Sequence, residues 1–143
     1  MLLWQLLVVG LHGLVLFFAG KMSLTTLVIG ASNNPDRYAY KAIKALLNHG
    51  HTVIAVGNRE GAIYNIIISK NWPETNSIDT LTLYIGKVHQ EAVIPKILVL
   101  KPRRVIFNPG TENEVLETIL RDAGIVVETA CTLVLLATNQ YQS

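Results

Sequence analysis

Two short glycine-containing segments stand where a chain could bind phosphate groups. Gly30-Ala-Ser-Asn-Asn-Pro35 and Asn108-Pro-Gly-Thr111 each follow a run of apolar, mostly β-branched residues and precede a predicted helix. The free amides and the positive dipole end of a helix N-terminus suit a phosphate, and two converging N-termini would suit a pyrophosphate. Glycines also occur in tight turns that bind nothing, and the two segments taken singly do not separate these interpretations.

A third segment, Gly57-Asn58-Arg59, ends the second apolar run and bears on the kind of nucleotide. Sites of the NAD type usually have a G-x-G-x-x-G turn and an acidic residue after the second strand, which accepts the ribose hydroxyls. Here the first turn has one glycine, and the second strand is followed by an arginine. Because a guanidinium pairs well with a phosphate, the pattern favours a phosphorylated ribose, as in NADP or coenzyme A, over the free diol of NAD.

Cys131 leads into the last predicted helix and is the one thiol of the chain. A thiol at a helix N-terminus can act as a nucleophile or pair with a cofactor thiol, whereas a buried cysteine packs as a small apolar side chain. We expect the packing role. The four histidines show no metal-ligand spacing, and Glu112 and Glu114 are better explained by helix capping than by acid–base chemistry. The sequence therefore indicates neither a metal site nor a catalytic apparatus.

The elements that must position these segments alternate between short apolar runs and amphipathic stretches, which is typical of β-α-β units. We predict an Asn34 cap for the first helix and a capping box at Thr111 and Glu114 for the third. No element is assigned between residues 59 and 77. The predicted strands are 25–29, 52–56, 81–84, 104–107 and 125–128, and the predicted helices are 34–49, 88–100, 111–123 and 131–137.

Right-handed crossovers then predict a three-layer α/β fold, a Rossmann-like, doubly wound five-stranded parallel sheet of order 3-2-1-4-5. In such sheets the ligand lies outside the carboxyl ends of the strands, where the strand order reverses. In this order the reversal falls between strands one and four. The segments that begin at Gly30 and Asn108 should therefore meet at the ligand.

Composition limits the remaining possibilities. A chain of 143 residues and 15.8 kDa fits one domain, and a net charge of +2 without long runs of one sign argues against nucleic acid as a partner. A single cysteine excludes an internal disulfide and a cysteine-rich zinc site, which indicates a reducing compartment. We therefore expect a cytoplasmic protein.

The N-terminal residues 1–21 differ from the rest, because Gln5 and His12 are the strongly polar side chains of an otherwise apolar run of 19. This length is near what spans a bilayer, so a membrane anchor or uncleaved signal is one interpretation. Another is an extension in front of a natural start at Met22, and a third is an extra packed helix. No Lys or Arg precedes the run, which argues against export. We predict an extension at 1–21 and one domain at 22–143.

Five motifs in combination resemble the small bacterial proteins with a CoA-binding domain, which are similar to the CoA-binding half of the succinyl-CoA synthetase α subunit. The resemblance runs from Leu24 to about Tyr141. The motifs are Leu27–Pro35, Arg37–Lys41, His49–His51 with Val56–Asn58, Val105–Thr111 and Ala130–Thr132. The resemblance implies a Rossmann-like fold that binds coenzyme A or a related nucleotide. Residues 1–21 have no counterpart in this pattern.

The resemblance also implies which residues contact the ligand. It assigns Gly30, Ala31 and Ser32 to the pyrophosphate, Val56, Gly57 and Asn58 to the adenosine side, and Asn108, Pro109 and Gly110 to the other side of the crevice, with Arg37, Tyr40, Arg59 and Cys131 as further candidates.

We expect a binding module without chemistry of its own, acting as a carrier, sensor or partner subunit. The rival hypothesis is an enzyme, either NADP-dependent or using the Cys131 thiol on acyl groups. A third is an interaction protein with a vestigial nucleotide site. We expect a small nucleotide as the partner and no membrane association unless residues 1–21 are an anchor, and homo-oligomerisation stays open.

Overall fold

The computed structural model describes residues 4–9, 14–19, 24–74 and 77–142. The strands are β1 (Trp4–Val9), β2 (Leu14–Ala19), β3 (Thr25–Ile29), β4 (Thr52–Val56), β5 (Gly61–Ile63), β6 (Ile66–Ser69), β7 (Thr80–Leu83), β8 (Arg104–Phe107) and β9 (Val126–Thr129). The helices are α1 (Tyr38–Asn48), α2 (Ile94–Leu100), α3 (Glu114–Asp122) and α4 (Thr132–Ala137), with short 3-10 turns at Lys87–His89 and Glu91–Val93.

Strands β3 to β9 form one sheet of order β5-β6-β4-β3-β7-β8-β9, which is parallel except for β5. On one face, Val28 and Ile106 of the sheet pack with α1 and α4. On the other face, Leu83 and Phe107 pack with α2 and α3. Residues that alternate along a strand point to opposite faces, which is why β3 contributes Leu27 to one core and Val28 to the other. The α/β, Rossmann-like, three-layer architecture predicted from the sequence is confirmed.

The predicted number and order of strands are wrong. The main sheet has seven strands, and β7, which was assigned to the outer position beside β4, pairs directly with β3 through Thr26 and Thr80. The position beside β4 belongs to β6, which pairs in register with β4 through Ala55 and Ile68. The segment was missed because β5 and β6 form a hairpin, so no helix separates β6 from β4 as a β-α-β pattern requires.

The corrected order moves the point at which strand order reverses. From β3 the chain adds β4 and then β6 on one side of the sheet. It then adds β7, β8 and β9 on the other side of β3, so the strand order reverses between β3 and β7. The crevice expected for a ligand therefore lies between the carboxyl ends of β3 and β7, and β8 is one strand farther away.

The described parts of the N-terminal segment form an antiparallel strand pair, β1 with β2, rather than a helix. No helix in the described residues is long and apolar enough to cross a membrane. The predicted boundary between residues 21 and 22 lies outside the described residues and stays a prediction.

At the opposite, amino edge of the sheet, a buried arginine ties the C-terminal tail to the core. Arg104 donates from Nη2 to the Tyr141 carbonyl at 2.7 Å, from Nη1 to Glu128 at 3.1 Å and from Nε to the Thr80 hydroxyl at 3.1 Å. Its guanidinium carbon lies 4.7 Å from the centroid of the Tyr141 ring, whose hydroxyl is 2.5 Å from the Thr26 hydroxyl. A buried cation is tolerated where its donors are paired in this way.

Asp79, beside this cluster, gives a pH-dependent prediction. Burial raises the pKa of Asp79, but hydrogen bonds from Arg103 and Thr80 outweigh it, so the pKa lies below its ordinary value. A carboxylate with a lowered folded pKa stabilises the fold above its unfolded pKa of about 3.9 and loses that contribution as pH falls towards the folded pKa. Asp79→Asn should lower the free energy of unfolding by about 0.5–1 kcal/mol at pH 7, since the pair is partly exposed. The difference from the parent protein should shrink below about pH 4.

Urea denaturation at pH 7 and at pH 2.5 measures both effects. Glu91→Gln removes an exposed carboxylate that has no ion pair among the described residues, and it serves as the control. An Asp79→Asn deficit of equal size at the two pH values would contradict the prediction.

Candidate functional site

The turn after β3 packs directly on the end of β7. Gly30 has a φ of +89°, a conformation that L side chains rarely adopt. A Cβ added there would lie 2.9 Å from the Tyr84 carbonyl carbon and oxygen and 2.9 Å from Ile85 Cγ2. Glycine is therefore required at position 30 by backbone conformation and by packing, before any ligand is considered.

Within this turn, the backbone amides divide into paired and unpaired groups. The Gly30 and Ala31 amides both donate to the Val56 carbonyl, at 3.0 and 2.9 Å. The amides of Ser32 and Asn33 donate to no acceptor among the described residues. Of the three residues predicted to contact the pyrophosphate, Gly30 and Ala31 therefore shape the turn with their amides, and the Ser32 amide is available to a ligand.

The turn continues farther than the sequence predicted before α1 begins. The Asn34 amide donates to Ser32 Oγ at 3.1 Å, and the Asp36 amide donates to Asn34 Oδ1 at 3.0 Å. These contacts close a local turn, so the predicted Asn34 cap is wrong and Arg37 is the N-cap, without a side-chain capping bond. Arg37 is exposed, and Tyr40, in the first turn of α1, packs partly against the α1–α4 core.

The end of β4 lies against the same turn. The Gly57 amide donates to the Ser69 carbonyl at 3.0 Å, and a Cβ added at Gly57 would overlap the Ala31 carbonyl oxygen. Farther along, the Asn33 side chain contacts Gly61, where an added Cβ would lie 2.8 Å from Asn33 Nδ2. The loop that carries the exposed Asn58 and Arg59 is thereby held beside the turn after β3.

The carboxyl end of β7 was not among the predicted site residues. The Tyr84 amide donates to the Ile29 carbonyl at 2.8 Å, and Tyr84 and Ile85 adjoin the Gly30 turn. They were missed because the predicted strand order placed this segment at the outer edge. If the three isoleucines at 66–68 are counted as a strand, that strand takes the position beside β4, and β7 is left to pair with β3.

The segment that begins at Asn108 does not meet the Gly30 turn across one crevice as predicted, because β7 lies between β3 and β8. The Asn108 side chain is buried. It donates to Thr82 Oγ1 at 2.7 Å and to the Leu83 carbonyl at 2.9 Å, and it accepts from the Thr132 amide at 2.9 Å. It therefore holds β7, β8 and α4 together. Pro109 and Gly110 are exposed at the edge, and the Gly110 amide donates to the Glu112 carboxylate at 2.9 Å.

The predicted capping box of α3 at Thr111 and Glu114 is wrong, because the N-cap lies two residues later. The cap is Asn113, whose Oδ1 accepts from the Leu116 amide at 3.3 Å, and Glu117 accepts from the Asn113 amide at 3.2 Å. The Thr111 hydroxyl instead donates to the Asn108 carbonyl at 2.8 Å. Tertiary contacts favour Asn113, because its Nδ2 donates at 3.0 Å to the buried Gln90.

Gln90 connects two loops of the carboxyl edge. Its Nε2 donates to the Ile85 carbonyl at 3.0 Å and to the Thr111 carbonyl at 2.7 Å. The loops that follow β7 and β8 are therefore fixed to each other by one side chain. A rigid edge of this kind is preorganised for a ligand, because little order remains to be imposed on binding.

Cys131 is the half-buried N-cap residue of the six-residue helix α4, at the position predicted from the sequence. It lies near Tyr84, and burial raises the pKa of the Tyr84 phenol to about 12. No hydrogen bond joins the Cys131 thiol to another described residue. Within the described ranges, no group of three or more His, Cys, Asp or Glu side chains is placed to hold a metal ion.

Comparison with known proteins identifies a family and several similar structures. A family model described as a CoA binding domain matches residues 24–137. A crystal structure of an uncharacterised protein is 44% identical with a TM-score of 0.81, and the alignment covers 83% of this chain and 98% of that one. No protein of curated function matches the chain significantly.

More distant structures share the fold alone. A Thermus thermophilus protein is 21% identical with a TM-score of 0.73, and the alignment covers 82% of this chain and 90% of that one. A conserved hypothetical protein of Pyrococcus furiosus is 23% identical with a TM-score of 0.68, and the corresponding shares are 78% and 97%.

The contact between Gly57 and the Gly30 turn gives a prediction about stability. Gly57→Ala should lower the free energy of unfolding by about 1–3 kcal/mol, because the new methyl group must displace the Ala31 carbonyl. Gly86→Ala is the matched control, since its φ is −66° and an added Cβ meets nothing within 4 Å. The control should be neutral or stabilising by up to about 1 kcal/mol. Urea denaturation measures both, and equal stability of the two variants would refute the proposed contact.

Proposed function

The chain belongs to the family of proteins with a CoA-binding domain, and from that premise we propose that it binds coenzyme A or a related nucleotide at the carboxyl edge of its sheet. The observation that carries the proposal is the Gly30–Pro35 turn, which lies at the reversal of strand order and in which the amides of Ser32 and Asn33 have no acceptor among the described residues. A pyrophosphate offers acceptors of the required kind.

The charges around the turn support a phosphorylated nucleotide. Arg37 and Arg59 are exposed on two loops that pack together through Asn33 and Gly61. Gly57-Asn58-Arg59 at the end of β4 offers no carboxylate to a ribose diol, whereas an arginine pairs with a ribose phosphate. Coenzyme A and NADP both carry such a phosphate, and family membership favours coenzyme A.

We propose a binding role without catalysis, in the cytoplasm. A thiol-dependent enzyme would need a base paired with Cys131, and the described residues pair none with it. An NADP-dependent enzyme remains the second candidate for the same edge. If the site is vestigial and the chain acts through another protein, no nucleotide will bind at all.

Calorimetric titration of the full chain tests the ligand. Coenzyme A should bind at least about tenfold more tightly than NAD, because one additional arginine–phosphate contact is worth roughly 1.4 kcal/mol. NADP binding as tight as coenzyme A binding would favour the second candidate. Equal or tighter NAD binding would refute the argument from Arg59, and absence of all binding would favour the vestigial site.

An isosteric charge change tests the position in the same titration. Asn34→Asp keeps the oxygen that accepts from the Asp36 amide and adds a negative charge beside the proposed pyrophosphate. It should weaken coenzyme A by about fivefold through charge repulsion. Asn48→Asp makes the same change at the end of α1 on the opposite edge, and it should bind like the parent protein. Equal affinities for the two variants would place the ligand elsewhere.

Alkylation of Cys131 separates the binding module from the thiol enzyme. We expect slow reaction with iodoacetamide at neutral pH, because the thiol is half-buried, and we expect Cys131→Ala to keep its affinity for coenzyme A. Labelling rates with and without the ligand measure this, and free cysteine provides the reference rate. Rapid labelling that coenzyme A prevents would place the enzyme hypothesis first.

A further inference from the structure

A cluster of buried hydroxyl groups at the end of β7 contains one hydroxyl without a hydrogen-bond partner. The hydroxyls of Thr82 and Thr132 are 2.8 Å apart, and Thr82 also accepts from Asn108 Nδ2. The hydroxyl of Tyr84 is buried and has no hydrogen-bond partner in the described structure. Tyr84 therefore contributes a buried donor for which the described residues supply no acceptor.

The Tyr84 hydroxyl does not pair with its neighbours although they are close. The oxygens of Thr82 and Thr132 are near enough to affect the ionisation of Tyr84, yet neither meets it in a hydrogen-bonding geometry. Leaving a buried hydroxyl unpaired is destabilising, so an unpaired hydroxyl in a folded protein calls for an explanation. Burial also raises the pKa of this phenol to about 12, which keeps it protonated and able to donate at neutral pH.

The location of Tyr84 relates this hydroxyl to the proposed ligand. Tyr84 directly follows β7, and its backbone carbonyl is the group against which a Cβ at Gly30 would collide. Its side chain packs partly against the core beneath α1 and α4, near the half-buried Cys131. A ligand whose phosphates lie on the Gly30 turn would thus have its flexible arm within reach of this cluster.

We propose that Tyr84 is a ligand-binding residue whose hydroxyl donates to a carbonyl oxygen of the pantetheine arm of coenzyme A. The inference rests on the proposed function. The amide carbonyls of that arm are acceptors without protons of their own, and they suit a phenol that has a proton to donate and no acceptor. The hydroxyl is sealed from solvent in the unliganded chain, so the arm must displace a neighbouring side chain. Cys131 is the neighbour not held by a hydrogen bond to the described residues.

Tyr84→Phe in the full chain tests this proposal, because it removes the hydroxyl and keeps the ring. The dissociation constant for coenzyme A should rise about fivefold to tenfold, as expected for one hydrogen bond. Affinity for adenosine 3′,5′-bisphosphate, which has no pantetheine arm, should stay within twofold. The urea midpoint of the unliganded variant should be unchanged or higher, since an unpaired buried hydroxyl is lost. Tyr64→Phe, at an exposed tyrosine in the β5–β6 turn, is the matched control and should alter none of these values.

The outcomes separate this inference from the proposed function. If the parent protein binds coenzyme A and Tyr84→Phe binds it equally well, the role of Tyr84 is refuted and the proposed function stands. If Tyr84→Phe lowers the urea midpoint, or weakens both ligands alike, Tyr84 is a structural residue and the inference is wrong. If the parent protein binds neither ligand, the proposed function fails and the inference fails with it.

Discussion

The close approach of three strand ends at two glycines is the constraint on which the rest of the carboxyl edge depends. Gly30 lies against the Tyr84 carbonyl, and Gly57 lies against the Ala31 carbonyl, with no room for a Cβ at either position. These contacts draw the ends of β3, β4 and β7 together, and the next two amides of the turn, at Ser32 and Asn33, have no acceptor among the described residues. Gly30 and Gly57 are therefore needed first for the close packing of the backbone. The proposed phosphate contacts depend on the turn conformation that this packing produces.

Buried polar side chains hold this edge and the opposite one in place. Gln90 joins the loop after β7 to the loop after β8 and pairs with Asn113, the N-cap of α3. Asn108 joins β8 to β7 and accepts from the first amide of α4. At the amino edge, Arg104 holds Tyr141 through a hydrogen bond and a ring contact, and it thereby fixes the tail after α4. Buried polar contacts of this kind favour one arrangement of strands, because another arrangement would leave the same groups buried without partners.

The proposed contacts along the crevice differ in chemistry from one end to the other. The unpaired amides of Ser32 and Asn33 and the exposed arginines suit the phosphorylated part of a nucleotide, and the Tyr84 hydroxyl suits an uncharged arm with carbonyl groups. The Cys131 thiol lies near Tyr84 and makes no hydrogen bond to another described residue. The proposed recognition rests mainly on backbone amides and on side chains whose positions the fold determines.

The sequence by itself determined the local features: the strands that border Gly30 and Gly57, the position of Cys131 at the start of the last helix, and the α/β class. Apolar periodicity and turn residues act over a few positions, so they can be inferred from the residues alone. Strand order was decided by tertiary structure, because Ile66–Ser69 follows a hairpin rather than a helix, and its place beside β4 is fixed by the pairing of Ile68 with Ala55. That pairing placed β7 beside β3, and so decided which loops form the crevice. The cap of α3 moved to Asn113 for a similar reason, since the buried Gln90 that fixes it is 23 residues away in the chain.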